Sequence, residues 1–179
     1  MRIPLPQLAN VVGYQLVWLA CVTGASAGRA WLGVAASLAF SGATLMFGGR
    51  RSADLRTLAI AAPLGFGLDS ILVSSGWLAY ASPGPFGAIA PLWVGAIWLS
   101  FASTLNHSLA FLRPRRALSG LLGLTGGPLA YWSASRAFGV IEFAQPFSTT
   151  LVVLGLCWAA LLPLCFTLDT RSRLAGIPT

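Results

Sequence analysis

Charged side chains are nearly absent from long stretches of this chain, and those that occur are gathered into short clusters. After Arg2 the next is Arg29, then Arg50, and none separates Asp69 from Arg113 apart from His107, counted here as neutral. Most of these runs reach the ~20 apolar residues that a helix needs to cross a hydrocarbon core. Only 8% of the 179 residues are charged, whereas a soluble domain carries about 25%. So little charge cannot cover a water-facing surface, and the pattern reads as a polytopic membrane protein.

The net charge of +7 comes from eleven arginines and no lysine. These arginines lie between apolar runs, where positive charge orients a membrane protein, so no nucleic-acid partner is expected. Without lysine there is no retinal Schiff base, lysine nucleophile or P-loop. Cys21, Cys157 and Cys165 all fall inside apolar runs and read as structural thiols. Arg2, the run Val11 to Val22 and the triplet Ala25-Ser26-Ala27 imitate a cleavable signal peptide. Asn10 and Gln15 interrupt that run, which favours a first membrane helix instead.

The fold expected is all-α, one integral-membrane domain over 1–179. Six transmembrane spans are placed at about 6–26, 29–48, 55–80, 89–112, 117–135 and 148–168. One side collects Arg2, Arg50, Arg51, Arg56, Arg113, Arg115, Arg116, Arg171 and Arg173; the other has Arg29 and Arg136. That asymmetry places both termini in the cytoplasm.

Small residues recur at helical spacing: Asn10, Gly13, Val17, Cys21 and Gly24; Gly33, Ser37, Ser41, Thr44 and Gly48; Gly120, Gly123, Gly127 and Tyr131. Close helix packing in lipid is enough to explain each stripe. PLGFGLDSILVSSGWLAY and LLGLTGGPLAYWSASRAF share a glycine-rich start and an aromatic finish, as three stacked helical hairpins would.

In span four, Ser100, Ser103, Thr104 and His107 fall at i, i+3, i+4 and i+7, a polar ladder on one helix face. In a continuous helix Asn106 and Ser108 point roughly 100° to either side of His107, so NHS is no local triad. Asp69 is the costliest residue, since an acid near a span centre costs about 2.5–3.5 kcal/mol to insert. Gln15, Ser100 and Tyr131 are its expected partners, with His107 roughly 10 Å lower by helical rise. The candidate ligand-binding residues are Asn10, Gln15, Asp69, Ser100, Ser103, Thr104, His107 and Tyr131. For Asn10, Gln15 and His107, interhelical hydrogen bonding is the simpler explanation. Neither a metal set nor a cofactor motif is present: one histidine and scattered cysteines cannot supply a zinc site, and no phosphate loop or nucleophile elbow occurs.

The chain resembles a bacterial inner-membrane family filed as domain of unknown function 2878. The likeness rests on Asn10 to Gln15, Gly67-Leu68-Asp69-Ser70, Pro91-Leu92-Trp93 with Trp98, Ser103 to Leu109, and Gly127-Pro128-Leu129-Ala130-Tyr131. It implies a small polytopic membrane protein with no assigned activity, of a family whose members tend to be encoded beside enzymes that modify membrane fatty acids, such as cyclopropane-synthase-like methyltransferases. Expected partners are membrane lipids and either lipid-modifying enzymes or transporter subunits.

Three functions fit. The first is a non-catalytic protein holding a lipid-like or amphipathic molecule in an intramembrane pocket. The second is a solute-binding transporter component resembling those of energy-coupling-factor transporters, its pocket opening beneath the ASPGPFG loop. The third is an intramembrane enzyme using His107 and Asp69, which requires the two within hydrogen-bond reach.

Overall fold

The computed structural model describes residues 4–84 and 87–174. Arg2, and Pro85 and Phe86 of the ASPGPFG segment, lie outside the described residues. Six α-helices account for most of the chain: α1 (Leu5–Ser26), α2 (Trp31–Phe47), α3 (Arg51–Ser74), α4 (Leu92–Ala102), α5 (Arg116–Phe138) and α6 (Phe147–Leu174). By length and composition, three helices can cross a membrane: α1, α3 and the Phe147–Ser172 part of α6; α2 and α4 are apolar but shorter.

The helices associate most closely in sequential pairs, α1 with α2, α3 with α4 and α5 with α6. Glycine makes each of these approaches. A Cβ on Gly33 would stand 2.5 Å from the Cys21 backbone, one on Gly65 2.0 Å from the Trp98 ring, and one on Gly123 2.3 Å from the Trp158 carbonyl. The α5–α6 pair adds a second device. Pro128 and Pro163 lie inside their helices, where each removes the hydrogen bond to the carbonyl four residues back. Those carbonyls belong to Leu124 and Ala159. They face Gly155 and Gly120 of the opposite helix, at 2.9 and 3.4 Å from where a Cβ would stand. Each proline-freed oxygen is thus packed against a glycine, where Cα–H contacts can form.

Two spans differ from expectation. The third helix ends at Ser74 rather than near residue 80: Gly76 takes a left-handed conformation (φ 70°) and the chain enters strand β1 (Leu78–Tyr80). After α5, Gly139 (φ 64°) leads in the same way into β2 (Ile141–Phe143). The strands pair antiparallel, Leu78 with Phe143, Ala79 with Glu142 and Tyr80 with Ile141. The likeness between spans three and five is therefore a repeated helix–glycine–strand unit whose two copies meet edge to edge.

The fourth span is no continuous α-helix. Regular structure stops at Ala102, Ser103–Leu109 forms tight turns, and a 3₁₀ turn follows at Ala110–Leu112. Short-range bonds replace the helical ladder: Thr104 N–H to the Phe101 carbonyl, Leu105 to Ala102, His107 and Leu109 to Thr104. Serine, threonine and asparagine compete with helical hydrogen bonding through their side chains, and the Thr104 hydroxyl donates to the Phe101 carbonyl at 2.6 Å.

The Gly65 contact generates a test. Gly65→Ala should destabilise the detergent-solubilised protein by about 1–3 kcal/mol or more through overpacking against Trp98, lowering its thermal midpoint. Gly67→Ala, where a Cβ meets nothing within 4 Å, should be neutral or stabilising; equal midpoints for the two variants would refute the packing account.

Candidate functional site

Three polar assemblies occupy the bundle. Asp69, in α3, is 1% exposed. The hydroxyls of Tyr80 and Tyr131 donate to its Oδ1 at 2.7 and 2.5 Å, and Trp98 Nε1–H donates to Oδ2 at 2.5 Å. Each donor reflects a feature of the fold: Tyr80 stands on β1 because the helix stops early, Tyr131 follows Gly127 by one turn, and Trp98 lies flat on Gly65. For Tyr80, outside the helices, loss of water around the hydroxyl and then the neighbouring carboxylate raise the phenol well above its usual range. It therefore stays a donor. Of the partners expected for Asp69, Tyr131 is present, whereas Gln15 and Ser100 lie elsewhere.

The second assembly lies at the arginine-bearing end, where the irregular segment turns His107 and Asn106 together toward α3. His107 Nε2 stands 3.1 Å from Asp54 Oδ2, and Asn106 Nδ2 donates to Asp54 Oδ1 at 3.0 Å and to Thr57 Oγ1 at 2.8 Å. Thr57 Oγ1 lies 3.1 Å from Asp169 Oδ1, and Asp169 Oδ2 accepts from Arg113 Nη1 at 2.6 Å. Arg113 Nη2 closes the circuit on Asn106 Oδ1 at 2.6 Å, while Arg50 donates to the Asn106 carbonyl at 2.9 Å. Space for the imidazole comes from Gly48, whose Cβ would sit 2.7 Å from His107 Cε1. Asp54 and Asp169 are 2% and 1% exposed. The single-face ladder is corrected here: beyond Ala102 the helical spacing on which it depended no longer applies.

Side chains from α1, α2, α4 and the irregular Ser103–Leu109 segment make up the third assembly. Ser100 Oγ lies 2.8 Å from Ser37 Oγ, and Ser103 Oγ 3.0 Å from Ser41 Oγ. Asn10 Oδ1 accepts from the Ser108 hydroxyl at 2.6 Å and the Ser108 N–H at 3.3 Å, and its Nδ2 donates to the Ser103 carbonyl at 3.4 Å. Asn10 thus holds both ends of the irregular segment.

Two adjoining cavities complete the picture. The larger, about 410 Å³, is a groove between α1 and α5, with Gln15 and Tyr14 on one wall, Gly126 and Ala130 on the other, and Thr104 and Ser108 among the irregular segment's contribution. The smaller, about 50 Å³, reaches Asp69, Tyr80 and Tyr131. Tyr14, Trp18, Ala130 and Trp158 line both. Trp158 stacks on Trp98 with centroids 4.5 Å apart, and its buried indole N–H has no hydrogen-bond acceptor among the described residues. Asn10, Asp69, His107 and Tyr131 therefore do not line one cavity. Asp69 and Tyr131 share the small one, Gln15 and Thr104 the large one, and His107 belongs with Asp54.

A family model described as "Protein of unknown function (DUF2878)" matches residues 7–164. The chain belongs to this family. No curated protein and no solved structure matches it. The DUF2878 match takes in all three assemblies up to Leu164, leaving Asp169 just beyond it. Among the described residues no group of three or more His, Cys, Asp or Glu side chains could hold a metal ion.

Sequence reading missed Tyr80, Trp98, Asp54, Thr57, Arg113 and Asp169. One signal was available: Asp54 and Thr57 lie three residues apart on α3, a shared face directed inward.

Asn106 ties Asp54, Thr57 and Arg113 together, so Asn106→Ala should cost about 1–3 kcal/mol for each buried partner it strands. The imidazole ¹⁵N resonances of the sole histidine should shift with it. An unchanged thermal midpoint together with an unchanged His107 spectrum would contradict this wiring.

Proposed function

We propose that this DUF2878 protein is a six-span bacterial inner-membrane protein that holds a lipid-like or amphipathic small molecule in the groove between α1 and α5. One observation carries the reading: about 410 Å³ of space between two helices, mostly apolar, with Gln15, Thr104, Ser108 and Ser133 as its polar points. That volume falls within the ~300–1,000 Å³ of ordinary ligand sites, which combine apolar walls with a few polar anchors. The lining residues come from the middle of α1 and α5, so a molecule dissolved in the bilayer reaches the groove sideways. The arginine-bearing end faces the cytoplasm in this reading, with both termini on that side.

A solute-binding transporter component is the second reading. It calls for a pocket beneath the segment joining β1 to α4, and none of the described residues of that segment lines the groove. The enzyme reading required His107 and Asp69 to act together, yet His107 is paired with Asp54. A role beside lipid-modifying enzymes fits the first reading and is part of the proposal.

Native mass spectrometry of protein extracted in a mild detergent tests it. The expected result is a retained amphipathic species that is lost in Gly126→Phe. A Cβ on Gly126 meets only Leu122, at 3.8 Å, so the new ring fills the groove without disrupting the fold. An empty wild-type protein, or undiminished retention by a folded Gly126→Phe variant, would count against the groove.

A further inference from the structure

We infer that the molecule held in the groove carries a positively charged amino group, and that this group occupies the small cavity at Asp69. The inference rests on the groove reading and deepens it. Asp69 has three donors, all neutral. Hydrogen bonds of this kind satisfy lone pairs but leave the charge of a carboxylate in place. Among the described residues the contacts between basic side chains and carboxylates are His107–Asp54 and Arg113–Asp169, and neither reaches Asp69. A carboxyl this deeply buried needs a counter-charge to be held as an anion; among the described residues the protein supplies none, and a bound cation would.

The cavity supplies the rest of a cation site. Besides the carboxylate, its walls include the rings of Tyr14, Trp18, Trp93 and Trp158. Aromatic faces attract cations, and cages of Trp and Tyr are a recurrent way of holding ammonium groups. The volume of about 50 Å³ exceeds the ~30 Å³ share of one water, which suits an ammonium or a small methylated ammonium. The shared wall at Tyr14, Trp18, Ala130 and Trp158 lets the apolar tail continue into the groove. A neutral head group would gain no charge pairing from the acid, and an anionic one would be opposed by it.

The test compares amphiphiles with one tail and different heads. Wild-type protein in a neutral detergent is titrated with tetradecyltrimethylammonium, tetradecanol and tetradecyl sulfate, and bound species are counted by native mass spectrometry. The expected result is at least about tenfold tighter binding of the ammonium than of the alcohol. In Asp69→Asn the two should bind alike. The overall charge of +7 opposes a cation, so such a preference cannot arise from bulk electrostatics. Equal binding of ammonium and alcohol to wild type, or a preference that survives Asp69→Asn, overturns the amine inference and leaves the groove standing. If none of the three probes binds, the groove reading itself falls. The wild-type comparison decides the matter even if Asp69→Asn does not fold.

Discussion

The rest of the structure depends on satisfying the backbone of Ser103–Leu109. A non-helical segment packed among apolar helices must find internal partners for its buried N–H and C=O groups, because the apolar side chains around it offer none. Short-range bonds from Thr104, Leu105, His107 and Leu109 meet part of that demand. Asn10 meets more by bonding to Ser103 and Ser108 at once, and Arg50 reaches the Asn106 carbonyl. Once the segment is held, three consequences follow together. His107 and Asn106 turn toward Asp54, Ser108 turns toward α1, and Thr104 comes to border the groove. An unbroken helix would have separated these side chains by its own geometry.

The polar groups divide the labour. At the arginine-bearing end, Asp54 and Asp169 are joined through Asn106, Thr57 and Arg113, with positive and negative groups adjacent and every short link made within the protein. At Asp69 the opposite holds: donors are plentiful and a counter-charge is missing. All three acids are buried, so burial alone does not distinguish them. The nature of the partners does.

Much of the architecture was legible in the residues. Six helical segments, the glycine stripes and the hairpin pairing all follow from composition and spacing, because close approach in lipid leaves its mark as small residues at fixed intervals. Asp69 was legible as a rare acid in an apolar run, and Tyr131 as one of its partners. Trp98 was not, because its contact depends on Gly65 letting an indole lie against the α3 backbone, a relation between distant positions. Tyr80 was assigned to the third span, where it could not have folded back onto Asp69; the left-handed Gly76 makes that return possible. The helix face assigned to His107 failed for a related reason. The polar letters that formed the ladder are the same ones that break the helix carrying it.

The repeated helix–glycine–strand unit bears on biosynthesis. As α3 leaves the ribosome its acid has no partner, and the next hairpin brings Trp98 and Tyr80 within a short stretch of chain. Tyr131 and Trp158 emerge later, with α5 and α6, so an unfinished chain holds a half-built environment around Asp69. The surroundings of Asp69 are therefore assembled only when α5 and α6 have joined α3 and α4.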